Sequence, residues 1–281
     1  MSLKADGLSL EANLPKAAKK SSAGWSLAPV APTCPTCRFS SIFGAREQMK
    51  RYRGFLFDAD NTLFDYDRAE GEALTVTLSA ALPEVPLRTA LAAYHEINAG
   101  FWRRFEQGST SLAELKPGRF RALLQSLGRD GDPQAISSRY LQELSARAYF
   151  LPHAKEVVEE LSRSFPLALV TNGIGMVQRG RLAKSGVAGC FRAVIISEEL
   201  GLAKPDPRFF QAAREAISLP ANELLCIGDN PISDIEGARA AGIDACWYAP
   251  NGQRWPGPGD PPSLVIRDLR EILPLASSIF T

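Results

Sequence analysis

The feature that most restricts the fold of this chain is a series of short apolar runs that alternate with helix-like segments. The runs cover residues 55–57, 167–170, 194–196, 224–227 and 245–248, with a weaker one at 264–266. Such runs are typical of strands that are buried on both faces of a sheet. Helical spacing connects most of them, at 153–164, 176–185, 207–218 and 232–241. The alternation predicts an α/β fold, a Rossmann-like parallel sheet with helices on both faces.

One long interval breaks this alternation, because residues 67–150 hold helical patterns and no convincing strand. Apolar positions at helical spacing continue through 87–107 and 112–127. Two pairs of residues have the spacing of a capping box, which opens a helix: Asp67 with Glu70, and Ser111 with Glu114. We therefore expect an inserted helical-bundle cap at 67–150, carried by an α/β core made of residues 49–66 and 151–281.

The first 48 residues differ in composition from the rest. They are rich in Ala, Ser, Pro and Lys and lack a sustained apolar periodicity, so we expect a disordered N-terminal extension at 1–48. Cys34 and Cys37 form a CxxC within it. A structural zinc site needs four ligands and no second Cys or Cys/His pair accompanies them, so we interpret both as loop cysteines.

Charge and cysteine usage restrict the partners and the compartment. The net charge of +1 gives no strong field toward a nucleic acid polymer or an anionic membrane, and we expect neither as a partner. The five cysteines are odd in number and scattered, and Cys226 and Cys246 lie in apolar runs, where a free thiol is usually buried. This pattern favours a reducing compartment, and we expect the cytoplasm. No run reaches the roughly 18 apolar residues of a membrane span, and no secretory signal is apparent.

Polar side chains follow several of the predicted strands at the point where each strand ends. In an open parallel sheet, ligands bind beyond these carboxyl ends. Any one of these residues alone would be an ordinary turn or helix cap, but four such elements in this order are hard to assemble by chance. The residues are Asp58 and Asp60, Thr171 and Asn172, Lys204, Asp229 and Asp234.

Their chemistry predicts a phosphate site built around a cation. Crowded carboxylates repel one another unless a cation lies among them, and oxygen ligands suit Mg²⁺. Lys204 and the Thr171 hydroxyl would then contact a phosphate group. Phosphoryl transfer requires mainly positioning and cancellation of charge. His95 and His153 lie away from the strand ends, which argues against catalysis by imidazole.

Four motifs in order resemble those of the haloacid dehalogenase (HAD) superfamily, and the resemblance covers residues 53–250. The first, Asp58-Ala-Asp60-Asn-Thr, is similar to the DxDx[TV] motif of that family. The others are Thr171-Asn-Gly, Lys204-Pro-Asp-Pro and Gly228-Asp229-x4-Asp234. The helices between the first two motifs are similar to a cap of that superfamily.

The resemblance implies a role for each matched residue. Asp58 would be the nucleophile that becomes an aspartyl-phosphate, and Asp60 the general acid and then the base that activates water. Thr171, Asn172 and Lys204 would bind the phosphoryl group. The Mg²⁺ ligands would be Asp58, the main-chain carbonyl of Asp60, and Asp229, with Asp234 binding directly or through water while also orienting Lys204.

An acid two residues after the nucleophile, as Asp60 is here, distinguishes the phosphatases of that superfamily from its dehalogenases. A halide leaves without a proton, whereas an alkoxide needs an acid. Phosphatase is therefore favoured over dehalogenase. A finer resemblance, to bacterial pyrimidine 5′-nucleotidases, rests on residues 196–205, on the cap stretch from Phe101-Trp102 to Arg119-Phe120, and on Ala245-Cys-Trp-Tyr.

That finer resemblance implies hydrolysis of dUMP, UMP and dTMP. Trp102, Phe105 and Arg119 are the candidates for contacts with base or ribose, although each also suits the core of a helical bundle. Two alternatives stay open: a phosphatase for a small sugar or organic-acid phosphate such as phosphoglycolate and, less favoured, a non-enzymatic binding module on the same fold. In the first two readings the partner is a small phosphorylated metabolite.

Overall fold

A six-stranded parallel sheet forms the centre of the computed structural model, which describes residues 52–276. The strands lie in the order β3-β2-β1-β4-β5-β6. Their bounds are β1 Gly54–Phe57, β2 Leu167–Thr171, β3 Ala193–Ile196, β4 Leu224–Gly228, β5 Asp244–Tyr248 and β6 Leu264–Ile266. Every strand predicted from an apolar run is confirmed. The predicted extension at 1–48, with Cys34 and Cys37, lies outside the described residues.

Apolar side chains cover both faces of the sheet, which explains why the strands read as continuous apolar runs. Alternate residues of one strand point to opposite faces. Phe55 and Phe57 of β1 belong to one cluster, which includes Val157 and Leu161. Leu56 between them belongs to a second cluster, with Phe209 and other apolar residues. The prediction of helices on both faces is thereby confirmed.

Nine α-helices accompany the sheet in the described part of the chain. They are α1 Tyr66–Ala81, α2 Leu87–Glu106, α3 Leu112–Leu127, α4 Pro133–Ser145, α5 Ala154–Ser162, α6 Gly175–Ser185, α7 Ser197–Leu200, α8 Pro207–Ile217 and α9 Gly237–Ala240. Short 3₁₀ turns lie at Ala188–Cys190, Ala221–Glu223 and Leu269–Leu275. None of the helices between residues 52 and 276 is both long and apolar enough to cross a membrane.

Helices α1 to α4 follow β1 and share an apolar cluster of their own. Leu74, Tyr94, Phe120 and Tyr140 contribute one buried side chain from each helix, and Ile174 at the start of α6 packs against the same cluster. These helices are the predicted bundle, and the assignment of 67–150 as a cap on a separate core stays a prediction.

The local signals for helix starts succeed at one position and fail at another. Ser111 and Glu114 form the expected capping box at α3. The pairing of Asp67 with Glu70 is wrong, because Asp65 is the N-cap of α1 and accepts from the backbone N–H of Arg68. The sequence offers two carboxylates two residues apart, and the chain uses the first.

The segment after β4 also differs from the predicted α-helix at 232–241. Residues Pro231–Glu236 form a π-helical turn that leads into α9. The Asn230 side chain accepts from the backbone N–H groups of Ile232 and Ser233, and Pro231 has no N–H to offer. Such turns often occur at functional sites. This one carries Asp234 and follows Asp229.

Two thiols lie in the sheet as predicted. Cys226 in β4 and Cys246 in β5 are free and fully buried. Burial raises the pKa of both thiols, that of Cys246 to about 12. They are therefore protonated packing groups at neutral pH and not nucleophiles.

Candidate active site

Asp58 follows β1 directly and lies at the carboxyl edge of the sheet, where the strand order reverses between β1 and β4. Its side chain is buried, and its backbone N–H donates to the carbonyl of Ile227. Oδ1 accepts from Nζ of Lys204 at 2.6 Å. No hydrogen bond from the residues within 52–276 reaches Oδ2. One oxygen of Asp58 is thus anchored, and the other is available to a ligand.

Lys204 connects three parts of the site through its buried ammonium group. Besides Asp58, Nζ donates to Oδ1 of Asp234 at 2.6 Å and to the carbonyl of Val170 at 2.9 Å. Burial alone would lower the pKa of Lys204, but the charges of Asp234 and Asp58 outweigh it and raise that pKa. The ammonium is therefore fixed as a cation beside Asp58.

The loop after β2 supplies Thr171 and Asn172, which have different local roles. The Thr171 hydroxyl accepts from the N–H of Gly173 at 3.1 Å and keeps its proton to donate. Asn172 is committed to the main chain of Lys204: Nδ2 donates to the carbonyl and Oδ1 accepts from the N–H, both at 2.8 Å. Asn172 therefore positions Lys204, while its predicted contact with phosphate stays a prediction.

Asp229 and Asp234 complete an acidic cluster with Asp58, in which one carboxylate oxygen from each lies within 4.8 Å of the others. Asp234 is fully buried, and besides Lys204 it accepts from the N–H of Asn230 at 3.0 Å. The indole N–H of Trp247 in β5 holds the carbonyl of Asp229 at 2.8 Å. The side chain of Asp234 and the main chain of Asp229 are thus fixed by neighbouring elements.

The charge of this cluster suits a divalent cation. Burial raises the pKa of Asp58, although Lys204 acts in the opposite direction, and burial with the charge of Asp58 raises the pKa of Asp229. With all three carboxylates ionised, Lys204 leaves two negative charges uncompensated. An all-oxygen donor set with this charge fits Mg²⁺, and Asp234 is better placed to orient Lys204 than to bind the ion directly.

Asp60 lines the same cleft, and α6 holds it by two contacts that the sequence did not indicate. Nη1 of Arg181 forms an ion pair with Oδ1, and Nε2 of Gln178 donates to Oδ2 at 2.7 Å. Both partners are buried. The sequence did hold a signal for these contacts: a glutamine and an arginine, three residues apart, lie on the same face of α6 as the apolar Val177 and Leu182.

The cleft above these residues has a volume of about 230 Å³ and continues into the helical bundle. The bundle contributes four side chains to its lining: Tyr66, Asn98, Trp102 and Glu106. Of the three predicted substrate residues, Trp102 alone lines this cleft. Phe105 packs edge-on against Trp102, with ring centroids 5.7 Å apart, and lines a separate groove with residues 197–203.

Arg119, the third predicted substrate residue, is 1% exposed and lies inside the bundle. Nη1 donates to Oδ1 of Asn98 at 3.0 Å, and the guanidinium lies 4.8 Å from the ring centroid of Tyr140. It borders a hollow of about 20 Å³, which Asp60, Tyr66 and Trp102 also line. Arg119 therefore does not line the cleft itself. It contacts Asn98, which does, and it borders the neighbouring hollow.

Comparison with known proteins agrees with this fold. The family model for haloacid dehalogenase-like hydrolases matches residues 52–242. YfnB of Bacillus subtilis, which carries the name of a HAD-hydrolase, is 35% identical over 229 residues, 80% of this chain and 95% of YfnB. Its magnesium-bound crystal structure superposes with a TM-score of 0.73 at 34% identity, over 80% of this chain and 99% of that one.

Two further relatives carry the name pyrimidine 5′-nucleotidase. PynA of Streptococcus pneumoniae is 35% identical over 202 residues, which are 71% of this chain and 85% of PynA. YjjG of Escherichia coli is 27% identical over 218 residues, which are 77% of this chain and 94% of YjjG.

The chain belongs to the haloacid dehalogenase-like hydrolases. Within that family it is a phosphatase, as the names of its relatives indicate: PynA and YjjG are 5′-nucleotidases, and a relative from Thermus thermophilus with 35% identity over 186 residues is a phosphoserine phosphatase. The predicted fold class and family are confirmed, and the non-enzymatic hypothesis is set aside.

Proposed function

We propose that the chain is a Mg²⁺-dependent 5′-nucleotidase that hydrolyses pyrimidine nucleoside monophosphates such as dUMP, UMP and dTMP. The observation that carries this proposal is the geometry after β1. Lys204 anchors one oxygen of Asp58 and leaves the other facing a cleft that Asp60 also lines. A nucleophilic carboxylate and a second carboxyl group two residues further on suit a two-step transfer of phosphate.

In the first step, an oxygen of Asp58 bonds to phosphorus while the bond from phosphorus to the ester oxygen breaks. The ester oxygen leaves as an alcohol with the proton of Asp60. In the second step, water attacks the phosphorus of the aspartyl-phosphate and gives a proton to Asp60. Inorganic phosphate leaves, and the Asp58 carboxylate is restored. The Thr171 hydroxyl donates to a phosphoryl oxygen throughout, and Lys204, whose three N–H groups already have partners, acts on the phosphoryl group through its positive charge.

Mg²⁺ would be held by Asp58, the main-chain carbonyl of Asp60, and Asp229. Asp234 would orient Lys204, from which its carboxylate accepts a hydrogen bond. Bound there, the ion would offset negative charge on the phosphoryl group. The raised pKa values of Asp58 and Asp229 support this assignment, because a cation would favour the ionised carboxylates that burial and the neighbouring carboxylates disfavour.

The helical bundle at 67–150 acts in this proposal as the cap that selects the substrate. Trp102 offers an aromatic surface to a base, and Glu106 places a carboxyl group at the same end of the cleft. A carboxylate there disfavours a second anionic group on the substrate, which argues against phosphoglycolate. The names of PynA and YjjG support the same class. The buried free thiols support a cytoplasmic location.

The test is a panel of phosphomonoesters assayed with Mg²⁺: dUMP, UMP, dTMP, phosphoglycolate, a sugar phosphate and p-nitrophenyl phosphate. We expect the highest kcat/KM with the pyrimidine nucleotides. If phosphoglycolate or the sugar phosphate exceeds all three, the nucleotidase assignment is wrong and the small-phosphate phosphatase replaces it.

A further inference from the structure

Asn98 of α2 lines the cleft from the cap side, and its side-chain amide is held from within the bundle. Nδ2 donates to Oε1 of Glu70 at 3.2 Å, and Oδ1 accepts from Nη1 of Arg119 at 3.0 Å. The same oxygen of Glu70 also accepts from the hydroxyls of Tyr66 at 3.0 Å and Tyr140 at 3.2 Å. The amide is therefore part of a buried polar network, although one side of it borders the cleft.

The chemistry of its two partners dictates which way the amide points. A carboxylate only accepts hydrogen bonds and a guanidinium only donates them. A flipped amide would place its oxygen against Glu70 and its NH₂ group against Arg119, and both contacts would be repulsive. The order of donor and acceptor on Asn98 is therefore fixed.

Each amide atom keeps capacity for one more hydrogen bond after these contacts. The NH₂ group has a second hydrogen, and the carbonyl oxygen has a second lone pair. Arg119 adds donors beside them, since neither Nε nor Nη2 has a hydrogen-bond partner among the described residues, although the side chain is 1% exposed. The Arg119 side chain lines the hollow that shares Asp60, Tyr66 and Trp102 with the cleft.

We infer that Asn98 and Arg119 together recognise the imide edge of a uracil or thymine ring. The order along the protein is donor at Asn98 Nδ2, acceptor at Asn98 Oδ1 and donor at Arg119. The order along the ring, from one carbonyl through N3–H to the other carbonyl, is acceptor, donor and acceptor. This inference rests on the proposed function, because it assumes that a base occupies the cap end of the cleft beside Trp102.

Cytosine does not match this arrangement. Its N3 carries a lone pair in place of a hydrogen, and its C4 carries an amino group in place of a carbonyl oxygen. In either pose that seats a uracil ring, the N3 lone pair of cytosine faces the oxygen of Asn98. Because Glu70 and Arg119 prevent the amide from flipping, the site rejects cytosine and does not adapt to it.

The first test uses the full chain without any substitution. The kcat/KM is measured with Mg²⁺ for UMP, CMP and N3-methyl-UMP, which share one ribose phosphate and therefore one set of core contacts. We expect UMP to exceed both others by roughly 10- to 100-fold, the effect of one unsatisfied or clashing buried polar group. Methylation of N3 removes the central donor and leaves the two carbonyl groups in place.

The second test assigns the discrimination to Asn98. In Asn98→Ala we expect the ratio of kcat/KM for UMP to that for CMP to fall to within about threefold. Glu96→Ala, at an exposed position of the same helix, should keep the wild-type ratio. If Asn98→Ala does not fold, as judged by circular dichroism, the substrate series on the wild-type chain decides alone.

The outcomes separate this inference from the proposed function. Equal kcat/KM for UMP, CMP and N3-methyl-UMP overturns the reading of the imide edge and leaves a nucleotidase. A folded Asn98→Ala variant that keeps the wild-type ratio removes Asn98 from base recognition. A protein that hydrolyses p-nitrophenyl phosphate but no pyrimidine monophosphate overturns the proposed function itself.

Discussion

Arg181, with a completely buried side chain, forms an ion pair through Nη1 with Oδ1 of Asp60, the carboxyl group assigned as acid and base. Gln178 occupies the other oxygen of Asp60. An acid must point an O–H group toward the leaving oxygen, and because each oxygen of Asp60 can take part in more than one hydrogen bond, these two contacts restrict the directions in which that O–H group can point. Helix α6 therefore determines where the acid rests between reactions.

We predict that Arg181→Met lowers kcat/KM more for alkyl phosphates than for p-nitrophenyl phosphate. An alkyl leaving group needs a correctly placed acid, whereas nitrophenolate departs without a proton. We expect a differential loss of about tenfold, below the ~10²–10⁴-fold typical of the acid itself. Arg179→Met is the matched control, because Arg179 on the same helix is half exposed and pairs with Glu199. Equal losses on both substrates would show that Arg181 has only a structural role.

Removal of the acid itself should give the larger effect. In Asp60→Asn we expect a loss of ~10²–10⁴-fold in phosphoenzyme formation from alkyl phosphates and a much smaller loss with p-nitrophenyl phosphate. Rapid-quench measurement of the first step separates this effect from the attack of water, in which Asp60 also acts. A loss that is independent of the leaving group would exclude Asp60 as the acid.

Asp58→Asn should abolish turnover while the fold persists. The amide is a poor nucleophile, and Lys204 keeps its contacts with Asp234 and with the carbonyl of Val170. Circular dichroism and the thermal midpoint check the fold, and a phosphatase assay on rigorously purified protein checks the activity. Wild-type turnover in this variant would rule out the covalent route.

Mg²⁺ should be required for activity and should stabilise the native state. EDTA should eliminate hydrolysis and added Mg²⁺ restore it, with a rise in Tm in the absence of substrate, because the ion binds the folded chain. In Asp229→Asn the rise should be much smaller. Without metal, this variant should unfold at the wild-type temperature or above, since one of three repelling carboxylates is gone. Full activity after exhaustive chelation would contradict the assignment.

The cap residue with the strongest effect on substrate choice should be Trp102. In Trp102→Ala we expect kcat/KM for dUMP to fall relative to that for acetyl phosphate by the equivalent of ~1–3 kcal/mol, the usual contribution of base stacking. Phe105→Ala should change this ratio less, because Phe105 lines a different groove and contacts Trp102 by its edge. If Phe105→Ala lowers this ratio more than Trp102→Ala does, the base does not bind beside Trp102.

Local patterns predicted most of the core and part of the site. The strands were recognisable because burial on both faces leaves a short apolar run, and the ends of these runs marked Asp58, Thr171 and Asp229. The capping position of α1 was misplaced because Asp65 and Asp67 are chemically equivalent candidates. Which of the two carboxylates caps the helix depends on where the chain leaves the loop after β1.

The contacts between distant positions were not predictable in the same way. Arg181 and Asp60 are 121 residues apart, and Asn98 and Glu70 lie on different helices of the bundle. Periodicity reports which face of a helix is buried, but not what that face meets. A polar residue on a buried face indicates that it has a hydrogen-bonding partner, but the sequence does not indicate which residue that partner is.

The sequence by itself determined the class of fold, the edge of the sheet at which the candidate active site lies, and the carboxylates and lysine that gather there. These follow from hydrophobic periodicity and from the positions at which strands end, both of which are local properties of the chain. Only the tertiary structure decided which oxygen of Asp58 is free, that Asn172 holds the main chain of Lys204, and that α6 holds Asp60. Those outcomes depend on the packing of whole helices against the sheet, and a shift of one ångström there makes or breaks a hydrogen bond.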